Sequence, residues 1–252
     1  MVCICSKGIK MLHFIDISNW QKGMTLPESK IDACIVKATE GTNFVDKFCD
    51  GFIQQCKRKG LLYGFYHFMT NANPEEQATF FAQHTEGYSR EGIPVLDIES
   101  ERISDWGNYA QRFVDKYHAI TGVYPVIYCS AGYLSRFNGY PLVDTCGLWI
   151  AGYPDNNFRG LNDVPKFCYD VSPWKFAAMW QYTSHGTVDW WDEPIDLDVA
   201  WMDAGAWKLY ANPDAIPTDA TVQMPSIVPA PDADGKRWHF ENGVVEVDVK
   251  LK

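Results

Sequence analysis

The chain has 252 residues, of which 46% are hydrophobic and 21% charged, a composition typical of a folded globular protein rather than a disordered one. No run of about eighteen apolar residues occurs, so we expect no transmembrane helix and no insertion into a membrane. The formal net charge of -10, from 22 basic and 32 acidic side chains, argues against nucleic acid as a partner, because phosphate binding needs clustered lysine and arginine.

Segments with the pattern of strands alternate with segments with the pattern of helices along most of the chain. Eight segments are apolar and short enough to be buried strands; they are residues 12–17, 33–38, 61–68, 93–98, 124–129, 147–151, 177–182 and 195–200. Helices are predicted over 46–59, ending at Gly60, over 74–86, opened by Pro74, and over 104–121, capped by Ser104.

This alternation indicates parallel strands, and eight of them indicate a barrel that closes on itself. Residues 153–175 have the pattern of a loop, so the second half of the barrel should be irregular. The predicted fold class is α/β, an irregular TIM-like (β/α) barrel of eight strands with a short C-terminal β-hairpin tail.

The composition divides the chain into four parts. Residues 1–10 precede the first strand and have no place in its pattern, so we interpret them as an N-terminal extension. The barrel takes residues 11–210, and the spaced prolines of 211–234 predict an extended linker. In 235–252, Asn242-Gly243 predicts a hairpin too small to fold alone. It must pack on the barrel, join other copies of the chain, or be a remnant of a wall-binding repeat.

The cysteines and histidines do not suggest a metal site or a disulfide framework. The eight cysteines are scattered through apolar segments, so we expect most to be reduced and buried. The six histidines stand singly, and the close pair Cys3 and Cys5 has one residue between its members, so no metal ligand set is predicted.

Acidic side chains occur where the barrel should have its active site, at the ends of strands. The first strand carries Asp16, the fourth carries Asp97 and Glu99, and the eighth carries Asp196 and Asp198. Asp97 and Glu99 are two residues apart and share one face of their strand. Two carboxylates side by side on an apolar strand raise the pKa of at least one of them, and a general acid needs such a raised pKa.

A purely structural role stays open for Asp196 or Asp198 taken alone, because a single carboxylate can cap a helix or pair with a lysine such as Lys37. The acid pair together with an aromatic content of 15% favours glycoside hydrolysis. His67 is expected to be a hydrogen-bonded structural residue behind the site. No Gly-x-Ser-x-Gly elbow and no glycine-rich phosphate loop occur, which argues against Ser-His-Asp and nucleotide chemistry.

Eight short motifs appear in order, each near the end of a predicted strand. They are FIDISNWQ at 14–21, IVKATEG at 35–41, GFYHF at 64–68, PVLDIE at 94–99, YPVIY at 124–128, LWIA at 148–151, WQY at 180–182 and DLD at 196–198. With these motifs the chain resembles the glycoside hydrolase family 25 lysozymes, or Chalaropsis-type muramidases, which are found in bacteria and as phage endolysins.

The resemblance implies cleavage of the β-1,4 bond between N-acetylmuramic acid and N-acetylglucosamine in peptidoglycan, with no metal or organic cofactor. Carried over to this sequence, Glu99 is the general acid and Asp97 the partner carboxylate that positions or stabilises the 2-acetamido group. Asp16 and Asp196 match two further active-site acids. Both a reaction through the acetamido group and one through an enzyme carboxylate stay open.

The resemblance also implies a sugar-binding groove. The residues that match its lining are Tyr66, Tyr128, Trp149, Gln181 and Tyr182, and we add Lys37, Glu40 and Asp198 to the expected substrate-binding set. Trp180 lies on the opposite face from Gln181 and is expected in the core. The family often has asparagine at the position of Asp198, so the extra carboxylate should alter the pH profile.

The sequence therefore predicts a lysozyme, most simply a phage or prophage endolysin, with bacterial peptidoglycan as its partner. A chitinase-like glycosidase on the same barrel and a catalytically silent cell-wall-binding protein are the alternatives. Because the first ten residues lack the apolar stretch of a signal peptide, we expect storage in the host cytoplasm before holin-dependent release, or else secretion without a recognisable signal. The tail is interpreted as an element for wall binding or self-association.

Overall fold

The computed structural model describes residues 11–215 and, beyond them, the backbone of three two-residue strands. The strands of the first part are β1 (Leu12–Ile17), β2 (Ala33–Glu40), β3 (Phe44–Val45), β4 (Leu62–Phe68), β5 (Ile93–Asp97), β6 (Val126–Ser130), β7 (Leu148–Ala151), β8 (Arg159–Gly160), β9 (Met179–Val188) and β10 (Trp191–Ala200). The helices are α1 (Cys49–Lys59), α2 (Pro74–His84), α3 (Trp106–Thr121), α4 (Leu142–Thr145) and α5 (Ala204–Ala211). Short 3-10 turns cover Asn19–Gln21, Glu86–Tyr88 and Ala131–Phe137.

Eight of these strands close into a barrel in the order β1-β10-β9-β7-β6-β5-β4-β2, with β2 pairing back onto β1. The predicted irregular α/β barrel of eight strands is confirmed. Parallel pairing holds for every barrel strand except β10, which is antiparallel to both β9 and β1. The expectation of a wholly parallel barrel is wrong there, because a two-residue turn at 189–190 joins β9 to β10 and permits only a hairpin.

The helices begin and end where their capping residues direct. Gly60 and Gly122 adopt left-handed backbone angles, with φ of 68° and 72°, and end α1 and α3. Asn73 caps α2 just before Pro74 by accepting from the backbone N–H of Glu76. The cap of α3 is Asp105 and not the predicted Ser104.

A helix that the sequence pattern did not predict closes the end of the barrel where the parallel strands begin. It is α5, capped by Asp203, whose carboxylate accepts from the N–H of Ala206. From α5, Trp207 packs edge-on against Phe14 inside the barrel, and its indole N–H donates to the carbonyl of Tyr63 at 3.1 Å. This end of the barrel is therefore filled by side chains.

Alternation along each strand divides the core into two layers. Phe14, Ile35 and Val95 belong to the cluster inside the barrel, whereas their neighbours Ile15 and Val36 pack between the barrel and the helices. The inward positions of each strand thus form one stack, and polar residues at the top of that stack face the open end.

The described cysteines are free thiols. Five are buried, as predicted, and Cys168 is exposed; the buried ones are Cys34, Cys49, Cys56, Cys129 and Cys146. Cys3 and Cys5 lie outside the described residues, as does the predicted extension over 1–10.

Beyond residue 215, β11 (Ala230–Pro231), β12 (Trp238–His239) and β13 (Glu246–Val247) pair antiparallel. The β12 and β13 strands flank the Asn-Gly turn from which a hairpin was predicted, while linker residues 216–229 lie outside the described residues. The separate role of the tail stays a prediction. Within the described part of the chain, no helix is long and apolar enough to cross a membrane.

Candidate active site

A cavity of about 260 Å³ opens at the carboxyl ends of the parallel strands. The residues that line it are Asp16, Tyr66, Asp97, Glu99, Tyr128, Trp149, Tyr153, Gln181 and Asp196. The four acids predicted as catalytic thus meet in one cavity, although they come from β1, β5 and β10 or their ends. Asp196 reaches this edge from the middle of β10 because that strand runs against the others and pairs Asp196 with Asp16.

The carboxyl groups at the end of β5 differ in their exposure. Asp97 is 7% exposed, and its Oδ1 has no hydrogen-bond partner among the described residues. Burial first, and the charge of Glu99 second, raise the pKa of Asp97 well above its ordinary value. Glu99 lies at the cavity mouth, where partial desolvation raises its pKa and the charge of Lys37 opposes that rise. Both carboxyl groups therefore hold protons more tightly than they would in water.

The acids on the opposite wall are raised in the same direction. Burial raises the pKa of Asp16 to about 6, with a contribution from the charge of Glu99, while the hydrogen bond from Gln181 holds it down. Burial and the charges of Asp16 and Glu99 raise the pKa of Asp196 well above its ordinary value. A cluster of acids this close keeps its charge low by retaining protons.

A hydrogen-bonded chain of amide and phenol groups fixes one side of the cavity. The side-chain N–H of Gln181 donates to Asp16 Oδ2 at 2.7 Å. Its Oε1 accepts from the hydroxyl of Tyr128 at 2.9 Å and from the hydroxyl of Tyr153. Desolvation raises the pKa of both phenols, so they remain neutral hydrogen-bond donors. The chain orients Gln181 and, through it, Asp16.

Tyr153 is a cavity residue that the sequence reasoning missed. It lies two residues beyond the end of β7, in the irregular segment that was interpreted only as a loop. An aromatic residue so soon after a barrel strand was the available signal, because loops at this end of a barrel contribute to the site.

Asp198 lies one layer deeper than the cavity wall, opposite Phe14 of β1, and is fully buried. Its Oδ1 accepts from the indole N–H of Trp149 at 3.0 Å, and no donor in the described protein reaches its Oδ2. Burial, followed by the charges of Asp16 and Asp196, raises the pKa of Asp198 well above its ordinary value, so Asp198 retains its proton. The expectation that Asp198 contacts substrate is wrong, because the layer above covers it.

Three other predicted substrate-binding residues do not line the cavity. Tyr182 is on the outer face of β9, where its hydroxyl donates to the carbonyl of Leu161 at 2.9 Å. Residues two apart on a strand share a face, so Tyr182 faces outward with Trp180 and away from the cavity. Lys37 and Glu40 form an ion pair of 2.7 Å at the rim, outside the lining.

His67 is structural, as expected. It is fully buried, lies 2.7 Å from the Thr39 hydroxyl and 3.2 Å from Gln77 Oε1, and stacks near Phe113. Burial lowers its pKa to about 3, so the ring stays neutral and does not act as a base at neutral pH. Among the described residues, no three His, Cys, Asp or Glu side chains are grouped so as to hold a metal ion.

Comparison with known proteins places this geometry among carbohydrate-cleaving enzymes. Residues 15–190 match the sequence model described as glycosyl hydrolases family 25. The chain is similar to the uncharacterized protein YegX of Escherichia coli (strain K12), with 29% identity over 217 residues that cover 75% of this chain and 69% of that one. It is 35% identical to the N,O-diacetylmuramidase of a Chalaropsis species over 125 residues, which cover 42% of this chain and 58% of that protein.

The fold also has counterparts among solved structures. The crystal structure of the bacterial lysozyme from Streptomyces coelicolor superposes with a TM-score of 0.68 at 23% identity, covering 81% of this chain and 98% of that one. At that identity the likeness concerns the fold, and the barrel described above is therefore one that a known lysozyme also adopts.

Proposed function

This chain belongs to the glycosyl hydrolases family 25, and we propose that it is a lysozyme that cleaves the β-1,4 bond between N-acetylmuramic acid and N-acetylglucosamine in bacterial peptidoglycan. The observation that carries the proposal is the single cavity in which Glu99 and Asp97 face Asp16 and Asp196. Paired carboxyl groups with raised pKa values are what glycoside hydrolysis requires.

Glu99 is the general acid of the proposed reaction. Its place at the mouth lets it reach a glycosidic oxygen, and its raised pKa keeps a proton available. That proton passes to the leaving oxygen as the bond from the anomeric carbon to this oxygen breaks. A water molecule then adds to the anomeric carbon and gives up a proton, which restores the acid.

The other acids stabilise and position the sugar whose bond breaks. Asp97 lines the cavity, and its carboxyl group is placed to accept the N–H of a 2-acetamido group. Asp16 is held in place by Gln181, and its ionised carboxylate stabilises the positive charge that develops at the anomeric carbon. The neutral hydroxyls of Tyr66 and Tyr128 supply hydrogen bonds, and their aromatic rings supply flat apolar surface for the sugar rings.

The same proposal extends to a phage or prophage endolysin that is held in the host cytoplasm and released to the wall when the membrane opens. Support comes from the five buried free thiols, which fit a reducing compartment better than an oxidising one. Fractionation of a producing host before and after membrane permeabilisation tests it. Recovery of the protein from the medium of intact cells contradicts it.

The test of function is digestion of purified peptidoglycan, followed by borohydride reduction and mass spectrometry of the new reducing ends. We expect reduced muramic acid ends from the wild type and none from Glu99→Gln, because the amide keeps the shape of the side chain but has no acidic proton. Glu101→Gln is the matched control, since Glu101 is an exposed acid two residues beyond Glu99 and outside the cavity lining.

Each other outcome identifies a rival. Reduced glucosamine ends indicate a chitinase-like or related glycosidase on the same barrel. Wall binding without any new ends indicates a catalytically silent wall-binding protein. Near-normal turnover by Glu99→Gln contradicts the assignment of the general acid.

A further inference from the structure

Three large apolar side chains are exposed at the edge of the barrel where β1 and β2 end. They are Trp20, which is 83% exposed, and Phe44 and Val45, which are 40% and 45% exposed; together they form the Trp20 patch. Exposed apolar clusters mark binding surfaces, since leaving them in water is unfavourable. The cavity opens at the same end of the barrel.

The patch is held rigid by hydrogen bonds beneath it. The hydroxyl of Ser18 accepts from the N–H of Trp20 at 3.2 Å, which fixes the turn that carries the indole. The N–H of Asn19 donates to Asp46 Oδ2 at 2.8 Å, and Asp46 directly follows Val45. This bond ties the turn after β1 to the hairpin after β2. A rigid patch has little conformational entropy to lose when a ligand binds.

Lys37 connects the patch to the cavity. Its ammonium lies 5.5 Å from the centre of the Phe44 ring, and its charge lowers the pKa values of Asp97 and Glu99. On the other side, Trp20 is four residues from Asp16 of the cavity wall, a separation of at most about 14 Å between Cα atoms. The patch and the cavity thus lie at the same end of the barrel, within the reach of one glycan strand.

We propose that the Trp20 patch binds a sugar of the glycan strand that lies beyond the sugars at the cleaved bond. The inference rests on the proposed function and extends it to longer substrates. A sugar presents a flat face of C–H groups that packs on an indole ring. The area of three side chains is well short of the roughly 800 Å² per partner that a stable protein interface buries, which disfavours a protein partner. Lys37 is already paired with Glu40, which disfavours an anionic ligand.

The test compares glycan strands of different lengths, freed of their peptides and sorted by size. We expect Trp20→Ala to lower kcat/KM on long strands on the order of tenfold, with a loss that shrinks as the strand shortens. Phe176→Ala is the matched control, because Phe176 is 45% exposed but precedes β9 at the opposite end of the barrel. It should behave as the wild type at every length.

A second measurement is independent of turnover. Calorimetric binding of long strands to Glu99→Gln should weaken by a similar factor when Trp20→Ala is added, and Trp20→Phe should restore part of the affinity. An equal loss at all lengths overturns the proposal, since it shows that Trp20 acts through β1 and Asp16. No loss at any length also overturns it. Failure of the wild type to cleave any strand contradicts the proposed function instead.

Discussion

The Asp198→Asn variant should be more stable than the wild type near neutral pH, and the difference should grow as the pH rises. The cause is the buried Asp198 carboxyl group, which holds a proton in the folded protein and loses it in the unfolded chain. Asparagine preserves the shape of the side chain, and its carbonyl accepts from the Trp149 indole as Asp198 Oδ1 does. Near pH 3, below the unfolded pKa of about 3.9, Asp198 is largely protonated in both states and the two proteins should differ by less than about 1 kcal/mol.

The difference above that pH follows from proton linkage. The pKa of Asp198 is raised in the folded protein, so the wild type loses stability as the pH rises above the unfolded pKa of about 3.9, until the pH reaches the folded pKa. The loss is about 1.4 kcal/mol per pH unit for one fully coupled group over that range. The asparagine variant has no such loss at this position.

Urea denaturation of both proteins over a series of pH values measures this difference. Asp198→Leu is the contrasting variant: it leaves the Trp149 N–H without a partner, at a cost of about 1–3 kcal/mol. A difference between wild type and asparagine variant that stays flat from pH 4 to pH 7 refutes the reasoning, since it means that Asp198 is ionised in the folded protein.

Two further expectations concern groups on either side of the cavity. The pKa of Asp16 is about 6, so the acidic limb of the kcat/KM profile should lie near pH 6. The hydrogen bond from Gln181 lowers this pKa, so the limb should move to higher pH in Gln181→Ala. A limb that does not move contradicts control by Asp16. Trp207→Ala should lower the free energy of unfolding by about 3–5 kcal/mol, because it empties the barrel end around Phe14 and leaves the Tyr63 carbonyl unpaired; a loss under about 1 kcal/mol in urea denaturation would show that this end repacks.

The barrel and its acids could be predicted because both depend on local pattern. Short apolar segments locate buried strands, and an acid at the end of such a segment has to lie at the rim. The reversal of β10 was missed because the predicted strands stopped at 182 and restarted at 195, whereas β9 and β10 continue to a two-residue turn. Their outer halves are mostly polar or glycine, SHGTV in β9 and WDEPI in β10, so apolar content does not mark them as strands.

The errors in the site have two physical causes. Tyr182 was assigned to the groove by its neighbour Gln181, although alternation along a strand turns adjacent residues to opposite faces. The role of Asp198 depends on burial and on contacts with Trp149 and Asp16, which are distant in sequence. Tyr153 lies in a segment without periodicity, and its bond to Gln181 follows from the fold alone.

The helix α5 fixes where the chain leaves the barrel. Tyr210 packs against Gly147 just before β7, and Asp214 pairs with Arg90 shortly before β5, so both contacts lie where parallel strands begin. A group joined after Ala211, such as a fluorophore, an affinity handle or a second domain, is therefore attached at the end of the barrel away from the cavity. Immobilising the enzyme through that point should leave the mouth of the cavity facing the insoluble wall polymer.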